Sequence, residues 1–153
     1  MEDTILETES VLVRTLRPDD LDAVIRVDAK NLGQRRDEYF KMKLQQNLAE
    51  SGIKVSLAAE LDGAFVGFLL CRVFYGEFGA PEPVAVLDTF GVHPDFKRRG
   101  VGHALMAQLS TNLKGLGVGQ LRSEVRWDEV DLISFFQRCG FKPAPRICLD
   151  LDL

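Results

Sequence analysis

Apolar residues recur along this chain in two rhythms, and the switches between them outline the elements. Val11-Leu12-Val13-Arg14-Thr15-Leu16 reads as a first strand. Pro18 suits the first turn of a helix, and Asp19, Asp20 and Asp22 complement its positive start. Leu21, Val24, Ile25, Ala29 and Leu32 then keep helical spacing as far as Gly33. A second helix carries Phe40, Leu44 and Leu48 on one stripe and is expected to end at Ser51-Gly52. From Lys54 the period falls to two. Val55, Leu57, Ala59 and Leu61 alternate with Ser56, Ala58, Glu60 and Asp62, which predicts a half-buried strand closed by the turn Asp62-Gly63.

The returning run from Phe65 to Tyr75 is apolar almost throughout and is predicted to be a central strand. A Gly- and Pro-rich stretch, Gly76 to Pro83, leads to a strand from Val84 to Val92. A helix follows with Val101, Leu105, Leu109 and Leu113 four apart, stopped by Gly115 and Gly117. Leu121 to Trp127 reads as a further strand. Asp128 is placed to cap a helix bearing Leu132, Ile133, Phe136 and Cys139, which Gly140 ends. Phe141 to Leu153 predicts one or two closing strands around Pro143 and Pro145. The hairpins imply antiparallel pairing, and the strand-helix-strand unit over 84–126 implies a parallel crossover. The fold class is therefore α/β in the α+β sense: one domain over residues 1–153, with a mixed, mostly antiparallel sheet flanked by about four helices.

Composition narrows the function classes. A chain of 153 residues buries a core without disulfides or metal. Its net charge of -4 argues against a nucleic-acid partner, which needs a clustered positive surface. Three cysteines cannot all pair, and Cys71 and Cys139 sit in apolar segments where reduced thiols act as small hydrophobes. Two histidines without Cys/His spacing give no metal site. The run around Phe65 to Tyr75 contains Arg72 and is too short to cross a bilayer, and Met1-Glu2-Asp3-Thr4 lacks the character of a signal peptide. The expectation is a cytoplasmic protein with no membrane partner.

The chemistry concentrates in Val92-His93-Pro94-Asp95-Phe96-Lys97-Arg98-Arg99-Gly100-Val101-Gly102-His103-Ala104-Leu105. A strand ends, a tight loop follows, and a helix begins at two glycines two apart. Free N–H groups in the first helical turn, the helix dipole and three flanking cations all favour phosphate oxygens. The Walker pattern is absent, and the third glycine of a dinucleotide fingerprint would fall at Leu105. Spacing alone leaves two readings, a phosphate cradle or an ordinary strand-to-helix turn with solvated charges.

This stretch resembles the acyl-CoA-binding motif of the GNAT superfamily of N-acetyltransferases, Gln/Arg-x-x-Gly-x-Gly/Ala. Lys97 stands at the first position, and Gly100 and Gly102 match. The hairpin at Asp62-Gly63, the strand ending in Val92-His93-Pro94, Glu124-Val125-Arg126, and Phe135-Phe136-Gln137-Arg138-Cys139-Gly140-Phe141 also resemble that family, so most of the chain is covered, least before residue 50. The resemblance implies acetyl-CoA as co-substrate, no metal, and direct transfer of acetyl to a primary amine of a small molecule or protein. It implies that Arg98, Arg99, Gly100, Val101, Gly102 and His103 cradle the pyrophosphate. Phe90, Gly91 and Val92 would line the pantetheine arm where two parallel strands splay, and an N–H near Val92 would polarise the thioester.

The attacking amine must lose a proton, and two carboxylates are candidates. Asp88 shares a strand face with Val84, Val86, Phe90 and Val92, company that would raise its pKa; the other reading is a solvated carboxylate. Glu124 shares a strand face with Arg122 and Arg126, which suits a cross-strand ion-pair ladder. Equally, Glu124-Val125-Arg126 resembles a segment of ribosomal-protein acetyltransferases whose glutamate takes the amine proton through water. The family's usual general acid, a tyrosine on the last helix, is replaced by Phe136, and its frequent asparagine by Glu129. These departures keep a second function open, a non-catalytic acyl-CoA-binding regulatory module. Arg35-Arg36 either orients an acidic acceptor or is a solvated helix start. The acceptor and the oligomeric state, a homodimer included, are not encoded in any readable motif.

Overall fold

The computed structural model describes residues 10–153. Five strands form one sheet in sequence order: β1 (Leu12–Thr15), β2 (Leu57–Leu61), β3 (Ala64–Phe74), β4 (Val84–Val92) and β5 (Leu121–Ser123). β1 to β4 pair antiparallel, and β5 joins β4 in parallel through the crossover helix α3 (Val101–Gly115). Two helices, α1 (Leu21–Leu32) and α2 (Asp37–Leu44), precede β2, and α4 (Val130–Arg138) follows β5. The mixed, mostly antiparallel α/β architecture is the one the hydrophobic rhythm predicts.

Two apolar clusters lie on opposite faces of the sheet. Val24, Ile25, Phe40, Leu44 and Leu48 from the first helical region pack on Ala58, Phe68 and Leu70. Val101, Leu105, Leu109 and Leu113 of α3 pack with Leu57, Ala59, Leu69, Cys71 and Leu87 on the other face. Because both faces are covered, β2 is not the half-buried strand that its alternation predicts: Ser56 and Ala58 are as inaccessible as Leu57 and Ala59. Ser56 is accommodated because its hydroxyl bonds both the N–H and the C=O of Cys71, at 3.0 and 3.2 Å. An ion cluster ties β1 to the entry of α1. Arg14 grips Asp20 with two guanidinium nitrogens, at 2.8 and 2.9 Å, while its Nε holds Glu60 at 2.8 Å.

Three expectations need correction near the C-terminus. β5 stops at Ser123 instead of Trp127, because the Ser123 hydroxyl donates to the Leu87 carbonyl at 2.7 Å where the ladder would continue. Glu129, not Asp128, is the residue that heads α4, since Arg126 draws Asp128 into a side-chain pair at 2.9 Å. No strand forms over residues 141–153, whose backbone makes no ladder among the described residues.

Candidate functional site

β4 and β5 pair only from Ala85↔Leu121 to Leu87↔Ser123, whereas β4 runs on to Val92. Beyond Leu87 it therefore has β3 on one side and an opening on the other. The His93 N–H donates to the Val66 carbonyl at 2.8 Å, so by alternation Phe90 and Val92 turn their main-chain groups away from β3, into the opening. The Val92 carbonyl confirms this direction: it accepts from the Asn31 side-chain amide of α1 at 2.8 Å. Phe90, Gly91 and Val92 thus line the opening.

The loop that follows is shaped by backbone constraints. Arg98 and Gly100 have φ of 67° and 80°, and Gly100 heads α3 in the left-handed region. The two motif glycines serve different needs. A Cβ on Gly100 would meet open space, so its requirement is the backbone angle. A Cβ on Gly102 would stand 3.0 Å from the Phe135 ring and 3.2 Å from Phe90, so its requirement is close packing. Those two rings stack at 5.0 Å and 17° and form a wall across the mouth of the opening.

The opening and the start of α3 share one cavity of about 730 Å³. Lys97, Arg98, Gly100, Val101, Gly102 and His103 line it on the loop side, and Glu129 on the α4 side. Arg99 is not among its lining residues; its guanidinium lies 5.4 Å from the Phe96 ring centroid. Three carboxylates, Asp28, Glu129 and Asp131, border the cavity. Asp28 is held by Arg36 through two bonds of 2.6 and 2.9 Å, while Arg35 pairs outward with Asp37. The Arg35-Arg36 pair is thereby committed to neighbouring carboxylates.

The other expected site residues lie elsewhere. Asp88 is not in apolar company. The ladder steps from Leu70↔Thr89 to Cys71↔Leu87, leaving Asp88 as the bulged residue without a partner across β3. Its side chain turns to α2, where Lys43 forms an ion pair with it, and it accepts from the Thr89 hydroxyl at 2.8 Å. Thr89 in turn meets the Tyr39 hydroxyl at 3.2 Å. Beneath the bulge, burial, aided by the Asp88 charge, pushes the Cys71 thiol up to about 12. Glu124 is exposed just past the last β4–β5 pair, and the ion-pair ladder expected for it is absent because Arg126 is taken by Asp128. Phe136 is 6% exposed and packs on Phe90 and Phe141, behind the wall rather than on the cavity. Phe135 takes the lining position instead. Asp28, Asn31 and Asp131 escaped the sequence reading, since polar residues on a helix carry no phase that says which of them meets a cleft.

A strand edge left open beside a glycine-headed helix, both facing one cavity, suits an extended ligand that carries phosphate. The chain belongs to the Acetyltransferase (GNAT) family, whose profile matches residues 21–141. Among its relatives is aminoglycoside N(6')-acetyltransferase type 1 of Stenotrophomonas maltophilia, 32% identical over 69% of this chain and 70% of that protein. The ribosomal protein bS18-alanine N-acetyltransferase of Escherichia coli is 29% identical over 76% of this chain and 62% of the relative. The fold superposes on aminoglycoside N-acetyltransferase AAC(6')-Iy in complex with CoA with a TM-score of 0.77 at 19% identity, covering 94% of this chain and 95% of the other. AAC(6')-Ih from Acinetobacter baumannii gives the same TM-score at 17% identity, with 94% and 99% covered.

Proposed function

We propose that this acetyltransferase uses acetyl-CoA and delivers the acetyl group to a primary amine by direct attack on the thioester. The observation that carries the reading is that the unpaired edge of β4 and the first turn of α3 open onto one cavity. An extended arm with two amides can complete the β4 edge at Phe90 and Val92, and a pyrophosphate suits the free N–H groups of residues 101–103. Lys97 and Arg98 supply positive charge there. The Val92 N–H, turned into the opening, is the donor for the oxyanion that forms when the amine attacks.

The amine must be neutral when it attacks. Asp88 is engaged by Lys43 and Thr89, so Glu124, beside the end of the β4–β5 ladder, is the better placed proton acceptor, through water. With Phe136 buried, the departing thiolate takes its proton from solvent. The carboxylates Glu129 and Asp131 favour an acceptor that arrives as a cation, whereas Asp28 is already paired with Arg36. The relatives named for aminoglycosides and for a ribosomal protein represent the two acceptor classes to test, polycationic small molecules and peptide N-termini.

Calorimetric titration with acetyl-CoA, beside adenosine nucleotides, followed by CoA release with each acceptor class, tests the proposal. Selective saturable binding with amine-dependent release is expected. Glu124→Gln should slow release about 10²-fold or more while leaving acetyl-CoA affinity intact. Saturable binding with no release from any amine would instead support the regulatory module that the Phe136 position leaves open. No binding at millimolar acetyl-CoA overturns both.

A further inference from the structure

Asp28 and Asn31 stand one turn apart on the same face of α1, and both border the cavity. Val24, Ile25 and Val27 on the neighbouring stripe are buried, so α1 is seated on the sheet and the aim of both side chains is set. The two differ in what they leave open. Asp28 is closed off by its two bonds from Arg36, whose guanidinium lies 4.7 Å over the Tyr39 ring. Asn31 spends its amide nitrogen on two main-chain carbonyls, Val27 at 3.2 Å and Val92 at 2.8 Å. A carboxamide nitrogen carries two hydrogens, and both are thereby used. Turning the side chain over would set oxygen against two carbonyl oxygens, so its orientation is fixed. Among the described residues no donor meets Oδ1, which is the group Asn31 leaves to the cavity.

We propose that Asn31 is a donor-binding residue, whose Oδ1 accepts the N–H of one amide of the pantetheine arm. This rests on the acetyl-CoA reading and names one contact within it. Past Leu87, β4 has no neighbouring strand on the side of the opening. At Val92 the Asn31 carboxamide takes that place. It donates an N–H to the strand, as the peptide of a neighbouring strand would, and presents its own C=O outward in the same way. An amide that donates is polarised into a better acceptor at its oxygen. The acceptor that Val92 has already given up is thus carried one group further out, to where an arm laid along the edge can reach it.

Position and charge favour the arm over the amine as the partner of Oδ1. Val92 is followed by His93, by the turn Pro94–Phe96 against which α1 packs, and then by the loop that carries Arg98 and Gly100. Asn31 therefore stands between the strand edge and the phosphate cradle, the stretch that the arm must cross. An ammonium ion gains most from a free carboxylate, and the carboxylate one turn away, Asp28, is held by Arg36. A fixed and uncharged acceptor suits a neutral N–H.

Calorimetry with acetyl-CoA, and with ADP bearing the donor's ribose phosphate, separates this contact from a general loosening, because the second ligand has the phosphates without the arm. Asn31→Leu is expected to raise the Kd of acetyl-CoA about 3–10-fold and to leave that of the nucleotide unchanged. Asn31→Ala, read in the same way, covers the case that leucine does not fit. Since either variant also releases Val92, a further measurement alters the ligand: acetyl-CoA analogues in which each arm amide N–H in turn is replaced by an ester oxygen. For one of the two, wild type should bind about 3–10-fold more weakly than it binds acetyl-CoA, and the variants should show no such penalty. A penalty that persists in the variants, an equal loss for nucleotide and acetyl-CoA, or an unchanged donor Kd with a raised KM for the amine each overturns the proposal while acetyl-CoA binding by the wild type stands. A wild type that binds no acetyl-CoA overturns the parent reading and this contact with it.

Discussion

Replacing Gly100 by alanine isolates the backbone contribution of the loop that heads α3. Gly100 has φ of 80° and ψ of 6°, and no atom lies within 4 Å of where its Cβ would sit. The substitution therefore introduces no collision, and its whole cost is that of holding an L-residue in the left-handed region, about 1–2 kcal/mol. That cost surfaces in one of two measurements. If the loop keeps its shape without ligand, the folded state alone is penalised, and a chain of 153 residues loses about 2–8 °C in Tm while acetyl-CoA affinity holds. If the loop relaxes when empty, Tm is unchanged and the strain returns on binding, raising Kd about 5–30-fold. Melting curves by circular dichroism and calorimetric titration of the same preparation measure both terms, which should sum to about 1–2 kcal/mol. A variant indistinguishable from wild type in both would refute the assignment of Gly100 to a required left-handed cap. Gly102→Ala serves as the contrast, since its Cβ must displace the Phe135 ring instead of the backbone.

Two further outcomes follow from packing and charge. Phe136→Tyr restores the family's tyrosine but places a hydroxyl among Phe90, Phe135 and Phe141, away from the cavity. We expect no gain in the rate of CoA release and a stability loss of about 1–3 kcal/mol from the buried hydroxyl, read by chemical denaturation; a faster enzyme would contradict the placement. Asp20 is desolvated by burial, but the Arg14 guanidinium and the Arg17 N–H more than offset this and hold its carboxyl below the usual value. A depressed carboxyl contributes stability above its unfolded pKa of about 3.9 and loses it as pH falls through the folded one. Asp20→Asn should therefore cost about 1–3 kcal/mol at neutral pH, with the gap to wild type narrowing as pH falls below about 4; a gap that stays constant down to pH 2 would refute it.

The hydrophobic rhythm carried the strand β4 to both its ends, because a mostly apolar run from Val84 to Val92 lies between Pro83 and the turn at Pro94. The glycine-headed α3 was legible for a similar reason, since its motif is local. What the chain concealed depends on partners distant in sequence. Alternation placed Asp88 with Val86 and Phe90 by assuming an unbroken ladder, and the bulge opposite Leu70 and Cys71 is written in neither strand alone. The early end of β5 turns on one hydroxyl, Ser123, that substitutes for a backbone donor. Adjacent aromatics defeated the helical phase: either Phe135 or Phe136 fits an apolar stripe, and only the position of Gly102 beneath α4 decides that Phe135 faces the cleft. The closing strands expected over residues 141–153 do not form, because an alternating pattern does not supply a partner to pair with.

The sheet separates two cores that share few side chains, and this has a consequence for how such a protein can diversify. One core seats α3 and the loop that lines the cleft at its start; the other seats α1 and α2, where Asp28 and Asn31 of α1 reach the same cleft. Substitutions among Phe40, Leu44 and Leu48 can tilt those two helices and reshape the cleft where Asp28 and Asn31 line it, on the opposite face of the sheet from the contacts beneath α3. The sheet acts as a bulkhead, letting one compartment be refitted while the packing of the other is kept.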